Sequence, residues 1–218
     1  MRIQSTDLKR CIEHTALLTL IASFATGVAL AQGSQQTEES VYWFFDTENP
    51  VGTSRVIRTP SGATAIFQTS GLPAGQAVTL WFIIFNNPEN CVANPCQPSD
   101  LGDLATGGDF HFGAGNVTGG RGNATFAGHL QVGDVSGSGW AEFGAPPVPL
   151  DDPYAAEIML AIHSHGPKMT GQDLKYQLNS FLGGCAVFLG PGGFAASPDD
   201  VPDAPGECST IQFSHHLP

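Results

Sequence analysis

Basic residues are scarce in this chain. Lys and Arg together number 8 of 218 residues, against 20 Asp and Glu, so the formal net charge is −12 and the pI about 4.7. Because a protein that binds nucleic acids electrostatically needs a basic surface, this balance argues against nucleic acid as a partner. Charged residues of either sign make up only 13%, whereas 41% are hydrophobic, which argues against a disordered chain.

The short motifs of common catalytic sites are also missing. The sequence has no H-E-x-x-H pattern, no G-x-S-x-G turn and no phosphate-binding P-loop. Gly113-Ala114-Gly115 is followed by Asn116-Val117-Thr118, so the third glycine of a dinucleotide fingerprint is absent. These absences exclude the common hydrolase and nucleotide-binding classes and leave open whether the protein is an enzyme.

Long apolar runs are absent except near the N-terminus. Arg2, Lys9 and Arg10 precede an apolar run over residues 15–30 that closes with Ala29-Leu30-Ala31. A run of about sixteen residues is short for a membrane span of about twenty, and the closing residues match an A-x-A cleavage site. We therefore predict a secretory signal peptide over residues 1–31, with an uncleaved N-terminal anchor as the alternative. The cleaved protein is expected to be extracellular, or periplasmic in a Gram-negative bacterium, with no membrane insertion.

Four cysteines follow the predicted cleavage site: Cys91, Cys96, Cys185 and Cys208. An even number in an exported protein indicates two disulfides, for which three connectivities exist. We favour Cys91–Cys96 and Cys185–Cys208, because each pairing closes a local loop rich in Pro and Gly. The alternative is a zinc site, but the spacing lacks the closely spaced pairs of structural zinc.

The remaining sequence favours short β-strands separated by Gly, Pro and Asn turns. We predict strands at 41–46, 53–59, 63–69, Gln76–Phe85, 110–118, 123–130 and 155–165, weaker ones at 139–143, 176–179 and 186–189, and a last one at 209–217. The apolar run of Gln76–Phe85 predicts burial on both faces. Long loops are expected at 88–108, 144–153 and 190–207.

These elements predict an all-β protein. The expected fold is an antiparallel, Greek-key-like β-sandwich or flattened barrel of about eight or nine strands, with long loops tied by disulfides. Residues 32–40 are polar and without periodicity, so we predict a flexible tail there. Residues 41–218 are expected to form one domain.

Histidine placement gives the sharpest candidate site. His163-Ser164-His165 ends a strand whose alternation places Ile158, Leu160 and Ile162 on the other face. The same alternation turns His129 away from Phe126 and Leu130, and turns His216 away from Ile211 and Phe213. If these strands adjoin, His129, His163, His165 and His216 can hold copper or zinc. The alternative is that these imidazoles are solvated or bonded to nearby loops, and a register slip of one residue would scatter them.

One aromatic residue is a further candidate for binding. Trp140 follows a Ser/Gly-rich stretch, where a loop tryptophan can stack on a sugar ring. The alternative is that Trp140 covers the hydrophobic core.

Several segments resemble a set of secreted, mostly bacterial β-sandwich proteins without an assigned function. The resemblance covers residues 41–218 and rests on Asn86-Asn87-Pro88 leading to Cys91, Phe126-Ala127-Gly128-His129-Leu130, Ser164-His165-Gly166-Pro167, Gly183-Gly184-Cys185 and His216-Leu217-Pro218. It implies export and a shared fold.

A fainter resemblance is to CHRD domains and copper/zinc superoxide dismutases, which are Greek-key β structures. His163, His165 and His129 are the positions similar to the dismutases' H-x-H pair and further histidine. The sequence departs from the dismutases in lacking their His–Asp zinc subloop and the Gly-rich stretch around the bridging histidine.

Two functions therefore compete. The first is a non-catalytic extracellular binding module for a surface polymer, a partner protein or a small ligand. The alternative is a copper- or zinc-binding protein, whether oxidoreductase, metal carrier or lyase, that uses the four histidines.

Overall fold

The computed structural model describes residues 33–218, so the predicted signal peptide lies outside the described residues. Nine strands and two short α-helices follow one another along this part of the chain, with five short 3₁₀ helices in the loops. The strands and α-helices are β1 (Gln35–Trp43), β2 (Gly52–Thr59), β3 (Gly62–Thr69), β4 (Gln76–Phe85), β5 (Gly108–Val117), β6 (Ala124–Gln131), α1 (Gly139–Glu142), β7 (Glu157–Pro167), α2 (Gly171–Gln177), β8 (Val187–Phe188) and β9 (Glu207–His216).

Eight strands form one antiparallel sheet in the order β5-β4-β7-β9-β1-β2-β3-β6, and β8 pairs in parallel with β9. The edge strands β5 and β6 approach each other through glycines. A Cβ added to Gly128 would lie only 3.0 Å from the Cα of Gly113, so the two backbones are in direct contact. The sheet is therefore nearly closed, and the prediction of an all-β barrel or sandwich is confirmed.

Apolar side chains inside the curled sheet form the main core. It includes Val56 of β2, Phe67 of β3, Leu80 of β4 and Leu160 of β7, all fully buried. Within a strand, the residues of this core recur at every second position, because alternate side chains of a strand point to the same face of the sheet.

A second apolar layer covers the outside of β4, β5 and β7. Trp81, Ile83, Phe110 and Met159 are buried there beneath loops rather than inside the sheet. All ten residues of β4 are buried, which confirms that Gln76–Phe85 is covered on both faces. The outer layer is what brings the long loops onto the sheet.

Both disulfides have the predicted connectivity. Cys91 is bonded to Cys96 and Cys185 to Cys208, with Cα–Cα distances of 5.4 and 5.5 Å. The first closes a turn in the loop before β5, and the second ties the loop after α2 to β9. Each fixes a covering loop of the outer layer.

The predicted flexible tail over residues 32–40 is wrong for its larger part. Gln35 to Ser40 belong to β1, where Gln35 pairs with Arg58 and Ser40 with Thr53. The segment has no apolar alternation because most of its side chains are exposed, while Thr37 faces a polar end of the interior. Backbone pairing with β2 therefore defines this strand.

Two of the weak strand predictions are also wrong. Residues 139–143 lie mainly in α1, because the Ser138 side chain accepts a hydrogen bond from the backbone N–H of Ala141 and caps a helical turn. Residues 176–179 lie at the end of α2 and the turn after it. The segment 186–189 does contain a strand, the two-residue β8.

Arg58 is a fully buried cation at one end of the interior. Its Nε donates to the Pro153 carbonyl at 2.7 Å, and its two NH groups donate to Thr37 Oγ1 at 3.1 Å and to the His216 carbonyl at 2.9 Å. A fourth, longer bond reaches the Ala156 carbonyl at 3.4 Å. Burial lowers the pKa of the guanidinium, and four neutral oxygens compensate its desolvation. Arg58 thus joins β1, β2, β9 and the loop before β7.

Within the described residues, no helix has both the length and the apolar character needed to cross a lipid bilayer.

Arg58→Ala is expected to lower the free energy of unfolding by about 3 kcal/mol or more, because it leaves a cavity and several buried oxygens without donors. Arg55→Ala on the same strand is the matched control. Arg55 is exposed and makes only a surface ion pair with Glu38 at 3.1 Å, so its loss should cost about 1 kcal/mol at most. Urea denaturation measures both variants. Equal losses in the two variants would contradict the structural role given to Arg58.

Candidate functional site

Aromatic rings from the sheet and from the covering loops meet on the outer face of β4 and β5. The ring centroid of Trp81 lies 5.5 Å from that of Phe110 and 5.2 Å from that of Phe181. Phe110 also packs edge-on against Trp140 at 5.4 Å. These tilted and edge-to-face arrangements are the favoured geometries of aromatic pairs. Trp140 covers this outer layer, and its Nε1 donates to the Gly108 carbonyl at 3.0 Å.

A pocket of about 290 Å³ opens among these rings. Its walls are Trp81, Ile83, Pro98, Leu101, Gly102, Phe110, Trp140, Phe143, Ala161, Phe181, Gly192, Phe194 and Thr210. Six of these residues are aromatic, and Thr210 is the one polar side chain among them. The pocket is therefore an apolar cavity with a single hydroxyl in its lining.

The loop that carries Phe181 is anchored by one carboxylate. Glu142 of α1 accepts hydrogen bonds from the Ser180 hydroxyl at 2.6 Å and from the backbone N–H groups of Phe181 and Leu182 at 2.8 and 3.1 Å. Three donors on one carboxylate fix the loop against α1. Phe181 is thus held in place before any ligand arrives.

His163 lies directly behind the pocket wall. Its ring stacks on Phe181 with centroids 4.0 Å apart, and its Nδ1 is 3.0 Å from the Thr210 hydroxyl. Its Nε2 is buried and has no hydrogen-bond partner. A buried nitrogen without a partner is unusual in proteins and calls for an explanation, of which a bound water or ion is one.

His165 lies beside His163, with the two ring centroids 4.8 Å apart. Its Nδ1 donates to the Gly183 carbonyl at 2.8 Å, and its Nε2 accepts from the Thr79 hydroxyl at 3.0 Å. Thr79 in turn accepts a hydrogen bond from Trp81 Nε1 at 2.8 Å. A neutral imidazole therefore satisfies both of its nitrogens here.

The Cys185–Cys208 disulfide lies against these two histidines. The two sulfurs are 3.7 and 3.9 Å from Nδ1 of His165. One nitrogen of each imidazole and the two Sγ atoms all lie within 4.8 Å of one another. Four such atoms can hold a metal ion, but the two sulfurs are bonded to each other.

Burial keeps both imidazoles neutral. It lowers the pKa of His163 well below its ordinary value, with the neighbouring His165 adding to the effect and the Phe181 backbone opposing it. Burial also lowers the pKa of His165 to about 4, against an opposing hydrogen bond to the Gly183 backbone. Neutral imidazole is the form that binds metal ions.

The structure does not bring the four predicted histidines together. His129 lies on β6 with an exposed ring, and its Nδ1 is 2.9 Å from the Thr64 hydroxyl. His216 is six residues beyond Thr210, the cross-strand partner of His163, which corresponds to about 20 Å along β9. Only His163 and His165 share a site, so the predicted four-histidine cluster is wrong.

His216 also faces the opposite way from the prediction. The pairing of β7 with β9 shifts between Ile162 and His163, and the shift leaves Ile211 as an extra residue. As a result Gln212, Ser214 and His216 point into the curled sheet. His216 Nε2 is 2.8 Å from the Ser54 hydroxyl, and its Nδ1 is 2.8 Å from the Thr37 hydroxyl. His216 is a buried structural residue beside Arg58.

Sequence reasoning missed the pocket and the cysteine neighbours of the histidines. Phe181, Phe194 and Leu101 come from segments without strand periodicity, so no pattern assigned them to one site. The outward direction of His163 and His165 was predicted, and it is confirmed. The spacing of Cys185 and Cys208 indicates a disulfide between them, but it carries no information about their distance from His165.

Stability should fall on acidification because histidines are buried in the neutral form. Burial lowers the pKa of His216 to about 3, with nearby Arg58 and His215 adding to the effect, and burial lowers that of His215 to about 4. In the unfolded chain a histidine binds its proton near pH 6.5, so the stabilisation is complete above that pH and is lost as pH falls toward the folded values. Glu157 acts oppositely, because burial raises its pKa to about 7 and its contribution is lost as pH rises from about 4.5 to 7.

A matched pair of variants isolates His216. We expect wild type and His129→Gln, which alters an exposed ring, to lose more stability than His216→Gln between pH 7.5 and pH 5. The difference should be about 2 kcal/mol, since each pH unit below 6.5 contributes about 1.4 kcal/mol per buried neutral histidine. Urea denaturation at each pH measures it. An identical pH dependence in the two variants would show that His216 is not held neutral.

Comparison with protein-family models, with curated proteins and with solved structures found no match to this chain. The resemblances to secreted bacterial β-sandwich proteins, CHRD domains and dismutases therefore remain expectations.

Proposed function

We propose that this protein binds a small apolar ligand, aromatic or alicyclic, in the pocket on the outer face of its sheet. The observation that carries the proposal is a pocket of about 290 Å³ that has six aromatic residues in its lining. Ligand pockets generally measure roughly 300 to 1,000 Å³ and are mainly apolar, with few polar groups. Of the ligand classes expected from the sequence, a small molecule fits this cavity better than a polymer or a protein.

The polar groups near the pocket restrict the ligand further. Thr210 is the only polar side chain in the lining, and its hydroxyl is already bonded to His163. A ligand that buries several polar groups would leave them without partners, at about 1 to 3 kcal/mol each. The net charge of −12 also disfavours an anion. The proposed ligand is therefore neutral, with at most one polar group, placed near Thr210.

Pre-formed walls favour binding at this site. Glu142 fixes the loop of Phe181, and the disulfide from Cys185 to Cys208 fixes the segment that follows. Because little side-chain freedom remains to be lost, less of the interaction energy is spent on ordering. Two disulfides support the export that the N-terminal sequence predicts, and we propose that the protein functions outside the cytoplasm.

Filling the pocket from its floor tests the proposal. Ala161 of β7 lines the pocket, so Ala161→Leu should occupy part of the cavity. We expect the neutral three-ring probe 1-aminoanthracene to bind the wild type with enhanced fluorescence. Its affinity should fall at least about tenfold in Ala161→Leu, which corresponds to about 1.4 kcal/mol.

The matched control is Ala127→Leu, which adds the same side chain to an exposed position of β6. This variant should bind the probe like the wild type. Thermal melting of both variants establishes that they are folded. If the probe binds folded Ala161→Leu as tightly as Ala127→Leu, the pocket is not its site and the proposal fails.

A second candidate function is copper or zinc binding at His163 and His165. The observation that favours it is the buried, unpartnered Nε2 of His163, beside a second neutral imidazole. One ion can take a nitrogen from each ring and complete its shell with other ligands. His129 and His216 have no part in this site, because the fold places them elsewhere.

Metal content after incubation with copper or zinc, measured in the oxidised protein and again after its disulfides are reduced, tests this second function in protein purified without a histidine tag. His163→Asn should lower the metal bound per chain, measured by mass spectrometry. His215→Asn is the matched control, because the half-buried His215 also has a buried, unpartnered Nε2 on the outer face but lies outside the cluster. Equal metal content in the two variants, in both the oxidised and the reduced state, would contradict a site at His163.

A further inference from the structure

Four potential zinc ligands are assembled at the end of β7, and two of them are blocked by a covalent bond. His163 and His165 supply nitrogens, and Cys185 and Cys208 supply sulfurs, all within 4.8 Å of one another. A tetrahedral zinc ion with bonds of about 2.3 Å to sulfur and 2.0 Å to nitrogen separates its ligand atoms by about 3.3 to 3.8 Å. To form a Cys₂His₂ site, the longest of these separations must shorten by about 1 Å, whereas the two sulfurs, held about 2 Å apart by their bond, must move apart to about 3.8 Å once that bond is broken.

We infer that this cluster is a redox-controlled zinc site, closed when Cys185 and Cys208 form a disulfide and opened when they are reduced. The inference rests on the metal-binding function proposed for His163 and His165, and it names the condition under which they bind. The hydrogen bonds of the two imidazoles and the burial of the two cysteines support it.

The oxidised state is a poor metal site. The disulfide sulfurs occupy the space beside His165 Nδ1, and that nitrogen already donates to the Gly183 carbonyl. Binding an ion would break this hydrogen bond and gain no thiolate ligand. The free Nε2 of His163 is then the one imidazole nitrogen that can bind without losing a partner.

Reduction supplies the two thiolate ligands that the oxidised state lacks. A dithiol reductant transfers two electrons and two protons to the Cys185–Cys208 bond, and becomes a disulfide itself. Zinc then displaces the two thiol protons and binds two thiolates and two neutral imidazoles. The resulting centre has no net charge, which suits its burial beside Phe181 and Phe188.

The surrounding contacts allow this change. Cys185 is partly exposed and lies in a turn after Gly183 and Gly184, whereas Cys208 is fully buried in β9. A reductant therefore reaches Cys185 first, and the turn can move while the strand stays in place. When His165 binds through Nδ1, its proton moves to Nε2, which can donate to the Thr79 hydroxyl oxygen.

Two double-serine variants separate this disulfide from the other one. Of the four cysteines that follow residue 31, Cys91→Ser/Cys96→Ser keeps only the two inferred ligands, and Cys185→Ser/Cys208→Ser removes them. Each variant is incubated with zinc, with and without a phosphine that reduces disulfides and takes its oxygen from water, then dialysed and analysed for metal. We expect about one zinc per chain in the reduced Cys91→Ser/Cys96→Ser protein and less than about a tenth of that in the oxidised protein. The reduced Cys185→Ser/Cys208→Ser protein should stay at the oxidised level.

A thiol count keeps the inference testable even if Cys185→Ser/Cys208→Ser fails to fold. In reduced Cys91→Ser/Cys96→Ser protein, zinc should protect both thiols from alkylation, and a chelator should restore their reactivity. Reactive thiols in the presence of zinc would overturn the inference. Equal zinc in the oxidised and reduced protein would overturn redox control but leave metal binding intact. No zinc in either state would overturn both.

Discussion

Burial of the strand β7 on both faces is the constraint on which the rest of the structure depends. Ile158, Leu160 and Ile162 fill the interior of the curled sheet, so the alternate residues must face outward. That outward face is apolar at Met159 and Ala161, and it cannot be left to water. The long loops are drawn onto it, and the aromatic pocket forms where they meet the sheet.

The same constraint explains the state of the histidines. His163 and His165 continue the outward face of β7 and are therefore covered by the loop of Phe181. Once buried, they are neutral, and each nitrogen needs a partner or a ligand. His216 meets an equivalent demand at the other end of the sheet, where Ser54 and Thr37 satisfy its ring. Buried imidazoles thus serve two different purposes in one sheet.

The structural features that depend on local sequence pattern were predicted correctly from the sequence. Alternation placed His163 and His165 opposite Ile162, the apolar run of Gln76–Phe85 indicated a strand covered on both faces, and short loop closure favoured the disulfides that form. The first part of β1 was not predicted, because its polar residues are held in the strand by backbone pairing with β2 rather than by burial of side chains. The predicted orientation of His216 was wrong because of the irregularity at Ile211. That irregularity depends on the pairing of β7 with β9, and the alternation of residues along a single strand carries no information about it. The pocket depends on which loops cover which face, and that too is decided by the tertiary fold.

Ligand binding on the outer face is the central claim, and a ligand-bound crystal structure tests it most directly. A brominated naphthalene diffused into crystals would be located by the anomalous scattering of its bromine. The account predicts a bromine peak between Trp81, Phe110 and Phe194, inside the pocket. Bromine found only at other surfaces, with the pocket empty at saturating ligand, would contradict it.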